Sequence, residues 1–245
     1  MNLNKNKRKI VKILIIIIFT FLNISVLNVE AITRKIVVSE NKIKGKTDVL
    51  DMELNIPEIR GLENKDKEKS INEEIDKNAV AFGHKIKLLA EEDRKYYMNN
   101  KEDGDIYEAV VDFSTPYNNG EFLSLLIDNY SYTGGAHGIT YRKSFNIDGK
   151  SGEVLLLKDL FKDNYNYKKI IDNIISKEIE KNKENFLYGE FNGIEEDIDF
   201  YMEEEYLIIY FQLYEIAPYV SGFPEFRIPI KELAKGLKKE FKNNF

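Results

Sequence analysis

Residues 107–148 read YEAVVDFSTPYNNGEFLSLLIDNYSYTGGAHGITYRKSFNID, and the fold turns on how this stretch is parsed. Tyr107, Ala109, Val111 and Phe113 alternate with polar neighbours, Phe122 to Tyr132 is mostly apolar, and Tyr141, Lys143, Phe145 and Ile147 alternate again. A period of two marks strands with one buried face. Gly-rich and Asp-Gly turns separate the three runs, so they are expected to form an antiparallel meander.

Toward the N-terminus, Leu50, Met52, Leu54 and Ile56 alternate with Asp51, Glu53 and Asn55 in the segment 49–59, a half-buried strand ended by Pro57. After Gly61, Ile71, Ile75, Ala79, Phe82, Ile86 and Leu89 recur every three or four residues, which predicts one long amphipathic helix to about Tyr97. Toward the C-terminus, Tyr167, Ile170, Ile171, Ile174, Ile175 and Ile179 mark a second amphipathic helix. Residues 199–214 read as a hairpin turning at Glu203-Glu204-Glu205, followed by an aromatic loop, a short strand over 227–230 and a tail helix with Leu233, Leu237 and Phe241 on one side. Two helices set apart from runs of strands make an α+β protein with antiparallel sheets, divided into two small modules.

The first residues carry Lys5, Lys7, Arg8, Lys9 and Lys12 ahead of an apolar run from Ile13 to Leu22 and end in Val29-Glu30-Ala31. Basic end, apolar core and small residues are the layout of a secretory signal, so residues 1–31 are expected to be a signal peptide or anchor and the rest to work outside the cytoplasm. Contact with a membrane is expected only through that segment. Beyond it remain 31 basic and 41 acidic side chains, a formal charge of −10. Nucleic-acid binding needs basic patches that displace counterions, so that class is set aside; a cationic partner suits the charge.

Cysteine is absent and there are two histidines, His84 and His137. Thiol chemistry is excluded, a catalytic zinc site lacks its usual ligands, and no cofactor is expected. The acidic clusters at 195–199 and 203–205 lack the spacing of a calcium loop and read as solvated charge. No carboxylate pair stands out as an acid and base, so a hydrolase is the third reading and a non-enzyme the first.

Two segments are unusual for mere connections. Asn129-Tyr-Ser-Tyr-Thr-Gly-Gly-Ala-His-Gly138 places three glycines and a histidine between two strands, where positive φ and close backbone approach are available. Leu213-Tyr-Glu-Ile-Ala-Pro-Tyr-Val-Ser-Gly-Phe-Pro-Glu-Phe226 concentrates rigid aromatics in a loop; exposed, they make a recognition surface, and buried, a satellite core.

The pair Tyr132-Thr-Gly-Gly-Ala-His-Gly138 and Tyr214-Glu-Ile-Ala-Pro-Tyr219 with Ser221-Gly-Phe-Pro-Glu-Phe226, and the intervening Thr140 to Phe161, resembles the extracellular region of RsiV-type anti-sigma factors. The same region precedes the catalytic domain of PdaC-type peptidoglycan deacetylases. The resemblance implies a PdaC-type N-terminal module (DUF4163) over 39–135 and an RsiV-like C-terminal module (DUF3298) over 136–245. It also implies a non-catalytic envelope binding domain whose partner is lysozyme or, alternatively, cell-wall glycan. Only twelve residues precede the apolar run and no deacetylase domain follows residue 245, so neither sigma-factor capture nor deacetylation is carried over. The residues assigned to partner binding are Tyr132, Thr133, Gly134, Gly135 and His137 in the first loop, and Tyr214, Pro218, Tyr219, Phe223 and Pro224 in the second.

Overall fold

Two strands open the fold: β1 (Val37–Lys46) and β2 (Leu50–Arg60) pair antiparallel, with Thr47 closing the turn by accepting at its hydroxyl from the Val49 and Leu50 amides. The structure is a computed structural model that describes residues 35–100, 104–187 and 189–242. The export segment expected over 1–31 lies outside the described residues. Among them, no helix is long and apolar enough to cross a membrane.

Gly61 turns the chain out of β2 at φ +103°, and the Glu68 carboxylate accepts from the Gly61 and Leu62 amides at 2.7 and 2.8 Å. Asn64 caps the next helix, its side-chain oxygen accepting from Lys67 N, and α1 (Lys65–Asn100) follows. This helix lays Ile71, Ile75, Ala79 and Ile86 on the sheet as its spacing predicts, but Leu89, expected on the same stripe, is exposed and Ala90 is buried in its place. It then delivers the chain to β3 (Tyr107–Asn118), β4 (Phe122–Tyr132) and β5 (Ile139–Asp148), which complete a five-stranded sheet in the order β1-β2-β3-β4-β5.

The meander of β3, β4 and β5 is antiparallel as expected. The sheets are mostly antiparallel, as expected, with one exception: β2 and β3 run parallel, from Leu50 beside Tyr107 to Leu54 beside Val111. A long helix between them carries the chain back to its starting end, and that geometry produces a parallel pair. β1 was not foreseen, because apart from Val37, Val38 and Ile43 its side chains are polar or glycine and it is mostly exposed.

The second layer starts at α2 (Tyr167–Lys181), capped by Asn166, and contains the sheet β6 (Phe200–Glu203), β7 (Tyr206–Tyr210) and β8 (Glu225–Pro229) in that order. The hairpin turns at Glu204, which adopts φ +35°. The tail helix is a correction: only the four-residue α3 (Ile230–Leu233) forms, after which Leu237 bridges to Phe161 and a 3-10 turn spans Lys239–Phe241. Leu233, Leu237 and Phe241 are nonetheless buried, so their apolarity was read correctly and their periodicity was not.

Along β4 and β5 the odd-numbered Leu123, Leu125, Ile127, Phe145 and Ile147 pack under α1, and Phe122, Leu126, Ser124 and Asn146 face the second sheet. Ser124 and Asn146, 0% and 2% exposed, are hydrogen-bonded to each other at 2.6 Å. Asn146 Nδ2 donates to Phe200 O, and Ser124 Oγ accepts from Met202 N, so this buried polar pair fixes β6 on the first sheet. The module boundary expected at 135/136 falls inside the five-stranded sheet, between β4 and β5.

Candidate functional site

The turn from β4 into β5 begins with Gly134 and Gly135 at φ +91° and +89°, conformations that disfavour side chains. The Tyr132 hydroxyl closes it by donating to Gly135 O at 3.0 Å, with Asp105 Oδ2 a second acceptor at 3.3 Å. Gly138 is needed for a different reason: a Cβ there would sit 2.4 Å from the Tyr130 ring. Thr133 is exposed.

His137 connects this turn to the distant aromatic loop. Its Nδ1 donates to Gly138 O at 2.8 Å, and Nε2 is hydrogen-bonded to the Tyr214 hydroxyl at 3.2 Å. The imidazole stacks on Tyr219 with centroids 3.9 Å apart and planes at 15°, and the Tyr219 hydroxyl donates to Gly138 O at 3.1 Å. Tyr214 completes the group, 5.5 Å from Tyr219 between centroids. Residues 77 and 82 positions apart in the chain thereby form one ring cluster.

The second loop has a buried underside and a free top. Ile216 and Ala217 are in the core, and Phe211 N donates to Pro224 O. Tyr214 is half exposed at 49%, in a left-handed backbone conformation at φ +67°, and Val220 is 91% exposed at the crest of the 3-10 turn Tyr219–Ser221. Pro218 initiates that turn, and Ser221 Oγ ties it to Asn185 O.

The ten assigned residues therefore divide. His137, Tyr214 and Tyr219 meet at the surface, while Tyr132, Gly134 and Gly135 shape the turn beside them. Phe223 and Pro224 do not join them: Pro224 is buried, and Phe223 lies under the Arg142 guanidinium, 4.2 Å from ring centroid to Cζ.

Arg142 was not singled out in the sequence, where it is one charge in an alternating strand. Its guanidinium meets Asp128 through two bonds of 2.8 Å and Glu225 through a third of 2.8 Å, so β4, β5 and β8 are joined at one point. Its backbone is held as well: Gln212 accepts from Arg142 N at 3.1 Å and donates to Arg142 O at 2.8 Å, in the manner of a neighbouring strand. Asp199 is the other unanticipated member. Read as part of a solvated acidic cluster, it is half-buried, and burial pushes its carboxyl above the usual carboxylate range against hydrogen bonds that lower it. Burial and then the nearby Asp105 charge likewise raise the Tyr132 phenol.

Residues 43–140 match the family described as Deacetylase PdaC, and residues 158–231 match the protein family of unknown function DUF3298. The chain is 32% identical over 199 residues to the anti-sigma-V factor RsiV of Bacillus subtilis, covering 77% of this chain and 66% of that protein. It is 28% identical over 167 residues to the peptidoglycan-N-acetylmuramic acid deacetylase PdaC of the same organism, covering 63% of this chain and 36% of that protein. It thus spans less than two thirds of either curated relative. Among solved structures, a DUF3298 protein from Bacteroides fragilis superposes with a TM-score of 0.69 at 17% identity, over 85% of this chain and 96% of that one. One from Pseudomonas aeruginosa gives 0.53 at 17% identity, over 84% and 94%. At that identity the likeness concerns the fold.

Proposed function

This chain joins a PdaC-family region to a DUF3298-family region, and from that premise we propose that it is a non-catalytic, exported binding domain of the bacterial cell envelope. The observation that supports it most is the His137–Tyr214–Tyr219 cluster, in which rings from two distant loops are stacked at the surface rather than in the core. Rigid aromatics with hydrogen-bonding tips are the side chains that anchor interfaces at low entropic cost. Val220 beside them offers an apolar knob with almost no cover of its own. The RsiV relative is an anti-sigma factor.

The partner we propose is a cationic wall-active protein such as lysozyme. The formal charge of −10 beyond residue 31 favours encounter with it, and the aromatic cluster supplies the contact that survives screening. Cell-wall glycan is the second reading, favoured by the exposed Tyr214 face and by similarity to a deacetylase of peptidoglycan.

Pull-down of the full chain against lysozyme and against purified peptidoglycan separates the two. Retention of lysozyme that is lost in a Tyr214→Ala/Tyr219→Ala double variant supports the first reading. Retention on peptidoglycan alone replaces it with the second, and retention on neither removes both partners.

A further inference from the structure

Asp199 is held by three elements at once. Ser144 Oγ of β5 donates to its Oδ1 at 3.4 Å, Gln212 Nε2 donates to its Oδ2 at 3.1 Å, and its own carbonyl accepts from Tyr210 N of β7 at 3.3 Å. The same Gln212 amide pairs with both backbone groups of Arg142 and begins the loop that carries Tyr214. Both donors to the carboxyl are neutral. The Arg142 guanidinium lies over the Tyr210 ring at 5.9 Å and is committed to Asp128 and Glu225. From its own segment, Asp197 adds negative charge. From β7 comes the Tyr210 hydroxyl, fully buried and interacting with Asp199 and Ser144 without a hydrogen bond of full geometry to either.

We propose that Asp199 and Gln212 form an acid-set clasp on the aromatic loop: the neutral carboxyl closes it onto β5, and ionisation favours its opening. The reason is chemical. An ionised carboxylate half removed from water, with no cation bonded to it among the described residues, is stabilised when the clasp opens and water reaches it. The protonated acid still accepts from Gln212 and gains a donor, which the Tyr210 oxygen or Ser144 Oγ receives. A group that titrates higher closed than open binds its proton more tightly when closed. Closure is therefore strongest below the carboxyl's ordinary value of about 3.9 and weakens as pH rises through the higher value of the closed form. This goes beyond the binding reading and is independent of which partner is bound.

Hydrogen exchange at the Arg142 amide, which donates to Gln212, reports the clasp in the full chain. After division by the intrinsic chemical rate, protection is expected to be greater near pH 4 than near pH 7, by about tenfold for each unit separating the closed and open titrations. Asp199→Asn keeps the shape, lets the new carbonyl accept from Gln212 and supplies a permanent donor to Tyr210 or Ser144. It is expected to raise protection at neutral pH and to flatten the pH profile, while Asp197→Asn leaves the profile's form. Protection in the unmodified chain that is independent of pH or falls on acidification overturns the proposal. So does an Asp199→Asn protein that folds but protects Arg142 less well at pH 7.

Discussion

Single side chains in this protein carry opposed tasks, and Tyr214 illustrates the conflict. A bulky aromatic at φ +67° is strained, by about 1–3 kcal/mol, yet that conformation sets its hydroxyl on His137. Tyr214→Gly relieves the backbone and removes the ring, so we expect stability to change by less than about 1 kcal/mol while partner binding weakens. Chemical denaturation and binding measured on the same variant check both halves. Arg142 is the reverse case, a residue whose whole cost falls on the fold. Arg142→Met leaves Asp128 and Glu225 facing each other without a cation, and we expect a loss of about 2–4 kcal/mol, again by denaturation. The role of Arg142 is not legible in the sequence: it looks like any exposed strand charge, and only the register that puts even-numbered β5 residues toward the second sheet makes it a hub. His137 and Tyr219 stood out in the sequence for the opposite reason, because glycine-rich and aromatic loops are chemically conspicuous without any knowledge of partners.

Elements whose pattern is written in their own residues were readable, and those defined by a neighbour were not. The apolar stripe of α1 and the alternation of β3 are local signals, strong because each buries one face, whereas β5 alternates in sequence but is covered on both faces, with Phe145 and Ile147 under α1 and Asn146 against the second sheet. β1 has almost no apolar face and exists because β2 offers it a full set of backbone partners from Val37 opposite Arg60 to Lys46 opposite Asp51. The residues after Leu233 followed helical spacing but are pinned by the Leu237–Phe161 bridge, and a tertiary contact overrode the local period. As the free edge of a long strand, β1 invites pairing with other chains; Lys42, Lys44 and Lys46 along it provide the charge that discourages this. Replacing the three lysines with Val is expected to produce self-association at rising concentration, seen by light scattering. The joint between β2 and α1 is more sensitive still. A Cβ on Gly61 would stand 2.5 Å from the Lys35 backbone oxygen at φ +103°, so Gly61→Ala is expected to cost about 2 kcal/mol or more in thermal or chemical unfolding.

At the scale of the whole molecule, the two sheets are bound by contacts that cross between the two matched family regions. Ser124 lies in the first region and Met202 in the second, and the hydrogen bond between them is buried with the Asn146–Phe200 bond beside it. Asn146→Ala strands the Phe200 carbonyl and the Ser124 hydroxyl, and we expect a loss of about 2–4 kcal/mol without a change to two separate unfolding transitions. Urea titration followed by tyrosine fluorescence and by far-ultraviolet dichroism checks this, since independent modules would unfold at different midpoints. The same rigidity lets residues 77 and 82 positions apart present one surface, so the central claim is that this surface is an interface. Binding kinetics of lysozyme with the full chain and its Tyr219→Ala variant test that claim most directly. We expect binding that weakens but persists as salt rises through about 0.15 M, with Tyr219→Ala speeding dissociation by an amount equivalent to about 1–3 kcal/mol. No binding at about 100 μM lysozyme in low salt, or binding that salt abolishes and Tyr219→Ala leaves unchanged, would contradict it.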